Sequence, residues 1–235
     1  MSKVAIITAR GGSKRIPKKN IKQFCGKPII AYSIKAAVKS QMFDEIMVST
    51  ESDEIADIAR QYGASVPFMR SAENADDFAD TTDVLLEVLE CYKKTGREFD
   101  EFCCIYPTAP FITAEKLIQS HKSLENEEVY NVVPMVPFSF PPQRGMVVKE
   151  GMLQPVNPEA IDKRSQDLEA ILHDCGQFYW CKTKAFINNP NFLANHTVPF
   201  EVSELEVQDI DNETDWKLAE LKYQMFRGKD EDNFN

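Results

Sequence analysis

Residues 3–20 read KVAIITARGGSKRIPKKN. The first six form a short β-prone run separated by two residues from a glycine pair, the pattern of a buried strand rather than of a helix. Residues 9–20 then place two adjacent glycines among five lysines or arginines. Glycine lacks a Cβ, so the N–H groups of Gly11 and Gly12 can come close to an anion, and Arg10, Lys14 and Lys19 can neutralise several phosphate charges. A strand that opens into such a loop predicts an α/β sheet with a phosphate cradle at a strand end. The ATP-loop pattern GxxxxGK[ST] and the dinucleotide pattern GxGxxG are both absent, which weakens those two readings.

Working outward, strand-like and helix-like segments alternate. We read helix 28–40, strand 45–50, helix 52–61, a short strand at 65–69, helix 81–95, strand 101–106, helix 113–124 and strand 130–136. This alternation predicts an α/β fold, a mostly parallel sheet covered by helices on both faces, in one domain spanning 1–235. Ligands of such sheets bind beyond the carboxyl ends of the strands. ARGGSKRIPKKN, STESDE and YPTAP all follow strands and should therefore share one rim. Residues 137–176 break the rhythm. GMVV and MLQPV flank a KEG turn and predict a hairpin, within an excursion suited to a dimer contact or a lid. Strands 177–183 and 197–202, helix 212–227 and the polar tail GKDEDNFN complete the chain.

Composition narrows the function classes. Among 235 residues, 43% are apolar and 27% charged, ordinary values for a globular protein. No window approaches the roughly 18 apolar residues of a membrane span, and the apolar run before Arg10 is too short for a secretory signal. The expectation is a cytoplasmic protein with no membrane partner. Six cysteines without CxxC spacing read as reduced, mostly buried thiols, and three scattered histidines give no metal motif. The net charge of −10 is unevenly spread: residues 1–43 hold ten of the 27 basic residues and none of the 37 acidic ones. A local positive focus in an acidic protein suits a small anion better than nucleic acid, which needs an extended basic face. Near the other end, VQDID places Asp209 and Asp211 two residues apart. In extended backbone they share a face and can converge on one hard cation with phosphate oxygens, although a solvated acidic edge has the same spacing.

ARGGSKRIPKKNI followed by GKPIIAYSI resembles the signature of the acylneuraminate cytidylyltransferases, which activate acidic nine-carbon (nonulosonic) sugars with CTP. The resemblance continues in order through FDEIMVSTESDEIADIARQYGASVPFMRSAENADD, YPTAPF, GQFYW and QDIDNETDW. It implies a Rossmann-like nucleotidyltransferase of three α/β/α layers, CTP and a nonulosonic acid as substrates, Mg2+ as cofactor, and a homodimer formed through the 137–176 excursion. Arg10, Gly11, Gly12, Ser13, Lys14, Lys19 and Asn20 fall on that family's nucleotide loop. There Arg10, Lys14 and Lys19 hold the triphosphate and Asn20 helps place the nucleoside. Arg70 and Thr81 match positions that contact the cytidine. Asp209 and Asp211 match its metal pair, and whether Asp211 also serves as a general base stays open.

Two departures from the sialic acid pattern concern the sugar: Tyr106 stands before PTAP, and His173-Asp174-Cys175-Gly176 stands before QFYW. YPTAPF, RSQDLEA and HDCGQFYW look most like the pseudaminic acid branch, whose products serve flagellin or surface glycans. That resemblance makes Arg164 and Gln166 candidates for the sugar carboxylate and hydroxyls, with Tyr106, His173, Asp174 and Tyr179 lining the pocket. Tyr179 is equally readable as core, because alternate residues of QFYW must pack inward. The same reaction on N-acetylneuraminic, legionaminic or the eight-carbon Kdo acid is the main alternative. A non-enzymatic polyanion binder leaves QDID and YPTAP without a role.

Overall fold

A computed structural model describes residues 1–76 and 79–227, so the tail GKDEDNFN lies outside the described residues. In chain order the elements are β1 (Lys3–Thr8), β2 (Gln23–Phe24), β3 (Lys27–Pro28), α1 (Ile30–Ser40), β4 (Glu45–Ser49), α2 (Asp53–Gln61), α3 (Thr81–Lys94), β5 (Glu101–Ile105) and α4 (Ala114–His121). There follow β6 (Asn131–Pro137), β7 (Met146–Lys149), β8 (Met152–Pro155), β9 (Leu172–Asp174), β10 (Phe178–Lys182), α5 (Thr183–Asn188), β11 (Thr197–Glu201) and α6 (Glu213–Arg227).

The central sheet runs β11-β6-β10-β5-β1-β4, with β9 paired to β6. β1 is parallel to β4 and β5, and β6 is parallel to β11, while β10 runs antiparallel to both of its neighbours. Strand alternation sends Ala5, Ile7, Val48, Cys103 and Ile105 to one face, against Ile34 of α1, Ala59 of α2 and Leu117 of α4. Val4, Ile6, Met47, Phe102 and Cys104 go to the other face, against Leu85 and Val88 of α3 and Phe186 of α5. Val4, Ile6 and Ile7 of β1 are each 0% exposed, and burying such a side chain contributes about 1.5–3 kcal/mol. The helices begin at side-chain caps: Ser52 accepts from the Ile55 N–H, Asp80 from Asp83 and Thr113 from Lys116. Register fixes the rim. Thr8 pairs with Ser49 and Ile7 with Ile105, so the loops after β1, β4 and β5 emerge side by side.

Several sequence expectations are corrected. The strand at 65–69 reduces to one bridge between Met47 and Ser65, since Pro67 has no N–H to continue a ladder. The helix read from residue 28 starts at Ile30, and the one read to 124 ends at His121 with a 3-10 turn following it. The excursion does hold the hairpin, β7 with β8, as a separate two-stranded ribbon. Its turn residues Glu150 and Gly151 both have positive φ, 52° and 80°, the backbone a two-residue hairpin turn requires. The end of the excursion returns to the main sheet as β9, antiparallel to β6.

Candidate active site

A cleft of about 670 Å³ opens at the rim, walled by the loop after β1, by Arg70, by the start of α3, by Tyr106 beyond β5, and by Asp211. Of the predicted nucleotide-loop residues, Arg10, Ser13, Lys14, Lys19 and Asn20 line it. The loop is tied internally, with the Asn20 side-chain amide donating to the Arg10 carbonyl at 2.8 Å and Lys18 in the left-handed region at φ 52°. Arg10 donates to the Asp76 carbonyl at 3.1 Å. Gly11 departs from the expectation. Its N–H donates at 2.6 Å to the Glu51 carboxylate, so that N–H faces the loop after β4 instead of a ligand. Gly12 has open space where a Cβ would stand. Glu51 was not singled out in the sequence, although STESDE was correctly assigned to the rim.

The two ends of the chain meet through their apolar residues. Ile16 of the basic loop (0% exposed) and Ile210 between the aspartates (1% exposed) belong to one cluster with Phe24, Trp216 and Tyr223. Among the described residues the segment leading into the aspartates has no strand partner, and side chains hold its carbonyls instead. Gln177 donates to Glu206 at 2.6 Å, Lys222 to Val207 at 2.6 Å and Lys19 to Ile210 at 2.7 Å. Beyond it, Asn212 accepts from the N–H groups of Thr214 and Asp215, while Asp215 accepts from those of Asp211 and Asn212. This reciprocal cap starts α6 and fixes the orientation of Asp211.

With Ile210 turned inward, Asp209 is exposed and Asp211 half-buried. Both carboxylates act on one ammonium: burial lowers the Lys19 pKa, and Asp211 and Asp209 oppose that shift. Asp211 also pairs with Arg15 at 2.8 Å. Two hard oxygen donors beside a cation-lined cleft fit a magnesium ion that takes its remaining ligands from phosphate oxygens. Among the described residues no cluster of three or more His, Cys, Asp or Glu side chains could hold a metal ion without such help.

Arg70 is 8% exposed and donates to the Ser49 hydroxyl at 3.0 Å and the Ser49 carbonyl at 2.7 Å, so it is fixed in the wall and is no surface arginine. The Thr81 hydroxyl, in the first turn of α3, lies 3.4 Å from that of Tyr106. Tyr106 meets Tyr179 edge-on at 5.4 Å, and the Tyr179 hydroxyl donates at 2.7 Å to Asp174. Tyr179 is thus core by burial, at 2% exposed, and a polar anchor by its hydroxyl. His173 contacts the Phe138 ring at 4.6 Å on the excursion side. Arg164 and Gln166 are not brought to the cleft. Both are exposed on the excursion, and Arg164 pairs with Asp167 at 2.8 Å.

A parallel strand rim that sets a basic glycine loop against Asp211 across one polar cleft is the arrangement of a nucleotidyltransferase. The chain belongs to the cytidylyltransferase family, whose profile matches residues 4–174. It is 35% identical over 226 residues to the pseudaminic acid cytidylyltransferase of Campylobacter jejuni, covering 96% of this chain and 97% of that one. It is 36% identical over 228 residues to the CMP-N,N'-diacetyllegionaminic acid synthase of Legionella pneumophila, covering 92% and 94%. In fold it is similar to a CMP:2-keto-3-deoxy-manno-octonic acid synthetase solved with CTP, with a TM-score of 0.69, 18% identity, and coverage of 97% and 100%.

Proposed function

We propose that this chain transfers CMP from CTP to the anomeric hydroxyl of pseudaminic acid and releases diphosphate. The observation that carries the reaction is the single cleft in which Arg10, Lys14 and Lys19 face Asp211. The similarity to the Campylobacter enzyme supports the choice of sugar. The sugar hydroxyl attacks the α-phosphorus and gives up its proton to water, the bond from that phosphorus to the α–β bridging oxygen breaks, and the two outer phosphates leave as diphosphate. Arg10, Lys14 and Lys19 hold the triphosphate and stabilise the charge that builds on the leaving group. Arg70 and Thr81 place the cytidine, and Tyr106 with the Tyr179–Asp174 pair orients the sugar, so most of the acceleration comes from positioning. Asp209 and Asp211 would hold magnesium, which when bound neutralises charge on the phosphate oxygens.

The proposal includes a homodimer. On the β7–β8 hairpin the cross-strand partners Val148 and Leu153 are 69% and 70% exposed, an apolar patch on one face that a second copy would cover, bringing Arg164 and Gln166 against a sugar site. Among the described residues no helix is long and apolar enough to cross a membrane. CTP is an intracellular nucleotide, so we assign the reaction to the cytoplasm. The second reading is the same transfer to legionaminic acid, favoured by the Legionella relative.

Diphosphate release with CTP, magnesium and a panel of pseudaminic, legionaminic, N-acetylneuraminic and Kdo acids tests both. Turnover greatest with pseudaminic acid is expected. Preference for another acid overturns the sugar, and no release with any of them overturns the reaction.

A further inference from the structure

STESDE is a rim segment that the reaction above leaves unused, and Glu51 is a half-buried acid within it. One carboxylate oxygen accepts the Gly11 N–H at 2.6 Å, a short charge-assisted bond between loops 40 residues apart in sequence. The other oxygen is buried and has no hydrogen-bond partner among the described residues. A Cβ built on Gly11 would stand 3.1 Å from the first oxygen and 3.3 Å from the Ser52 Cβ, so any side chain there makes Glu51 and Ser52 give way by a few tenths of an ångström. Glu51 is also the largest attractive charge acting on the buried Arg70, which feels Arg10 as a repulsive one. Leaving a carboxylate oxygen buried and unpaired is costly, and here the carboxylate acts on Arg70, an arginine that Arg10 repels.

We propose that Glu51 is a positioning residue for CTP, a claim that rests on the reaction proposed above. It fixes the Gly11 peptide so that Arg10 and Ser13 project into the cleft, and its charge answers Arg10 and Arg70 before the triphosphate arrives. The cradle is therefore formed in advance by a carboxylate from the loop after β4. Gly11 supplies close approach to protein, and the phosphates are left to Arg10, Lys14 and Lys19.

Two readouts separate this claim from the reaction it serves. Without substrate, amide hydrogen exchange over residues 9–15 should accelerate in Glu51→Ala and stay near wild type in Glu51→Gln, which keeps an acceptor; unchanged exchange in Glu51→Ala overturns the pin. With substrates, Glu51→Ala should raise the KM for CTP by about 10–100-fold, the scale of a misplaced binding group, while the KM for the sugar holds. Glu51→Gln should recover most of that loss. Gly11→Ala should reproduce the defect in the wild-type background and add little in Glu51→Ala, because both changes break one contact. Additive effects overturn the proposal. Altered exchange in a protein that never turns over CTP would leave the pin standing and remove the reaction.

Discussion

The Lys19 ammonium donates at 2.7 Å to the carbonyl of Ile210, the residue between Asp209 and Asp211, across 191 positions of sequence. One side chain thus joins the basic loop to the acidic pair. Burial lowers its pKa, and the two carboxylates limit that fall. Protonated Lys19 is the form that can neutralise a phosphate, so CTP use should fail on the alkaline side at a lower pH than an ordinary lysine would allow. Asp209→Asn removes one supporting charge and should move the alkaline limb of kcat/KM for CTP to lower pH. Lys19→Arg should move it upward, since a guanidinium stays charged. A limb that ignores both substitutions would sink this role for Lys19. The stability consequence has the opposite sense. Between the lowered and the ordinary pKa the unfolded chain holds more protons, so folding stability should rise with pH in that window.

Asp211 is set by the reciprocal cap of α6, and its carboxylate pairs with Arg15. Asp211→Asn keeps the shape and loses the charge. It should lower kcat by about 10²-fold or more, the usual effect of losing an electrostatic group in phosphoryl transfer, and raise the magnesium needed for half-maximal rate. A titration of rate against magnesium checks this. An unchanged curve would make the pair a solvated acidic edge.

Tyr179 is a buried phenol whose hydroxyl donates to Asp174 at 2.7 Å, and burial pushes its pKa well up, so the proton stays on the phenol. Asp174 keeps a second donor in the Gly176 N–H at 2.9 Å and is itself exposed, so water can replace part of what Tyr179→Phe removes. The expected cost in stability is about 1 kcal/mol. The expected kinetic effect is selective: the KM for the sugar rises about tenfold while the KM for CTP holds, an increment of about 1.4 kcal/mol. An equal rise in both would mean that Tyr179 only packs the core.

The legible parts of this molecule were those written in local pattern. The apolar runs KVAIIT and EFCCI carry their strands in composition, and the helices read from 52, 81 and 113 start within one residue of those positions. The convergence of loop and acids had a trace in the pattern as well, since Ile16 and Ile210 are isolated apolar residues in otherwise polar stretches and prove to share one cluster. Three features lay beyond local reading. The direction of β10 depends on which neighbours it meets, β5 and β6, and both run against it. β9 is three residues long and exists through its pairing with β6. Glu51 resembles any acid after a strand until the Gly11 N–H is seen to point at it. Arg164 and Gln166 were placed by resemblance alone, and within one chain they stay on the excursion surface.

The hairpin gives the test of assembly. Val148 is 69% exposed and Leu153 70%, and they are cross-strand partners, so both apolar side chains sit on the same patch of a ribbon outside the central sheet. A monomer gains nothing from displaying that pair, while a second copy gains about 25 cal/mol for each Å² of apolar surface it covers. Replacing both, Val148→Asp with Leu153→Asp, sets two like charges opposite each other in the proposed contact and removes its apolar centre. The core is untouched, so circular dichroism and the thermal midpoint should stay close to wild type. Light scattering coupled to size exclusion should report a dimer for the wild type and a monomer for the double variant. If the sugar site draws on the excursion of the other copy, the monomer should lose affinity for the sugar before it loses affinity for CTP. A double variant that still dimerises would move the interface elsewhere, and a monomer with an unchanged KM for the sugar would confine the excursion to assembly.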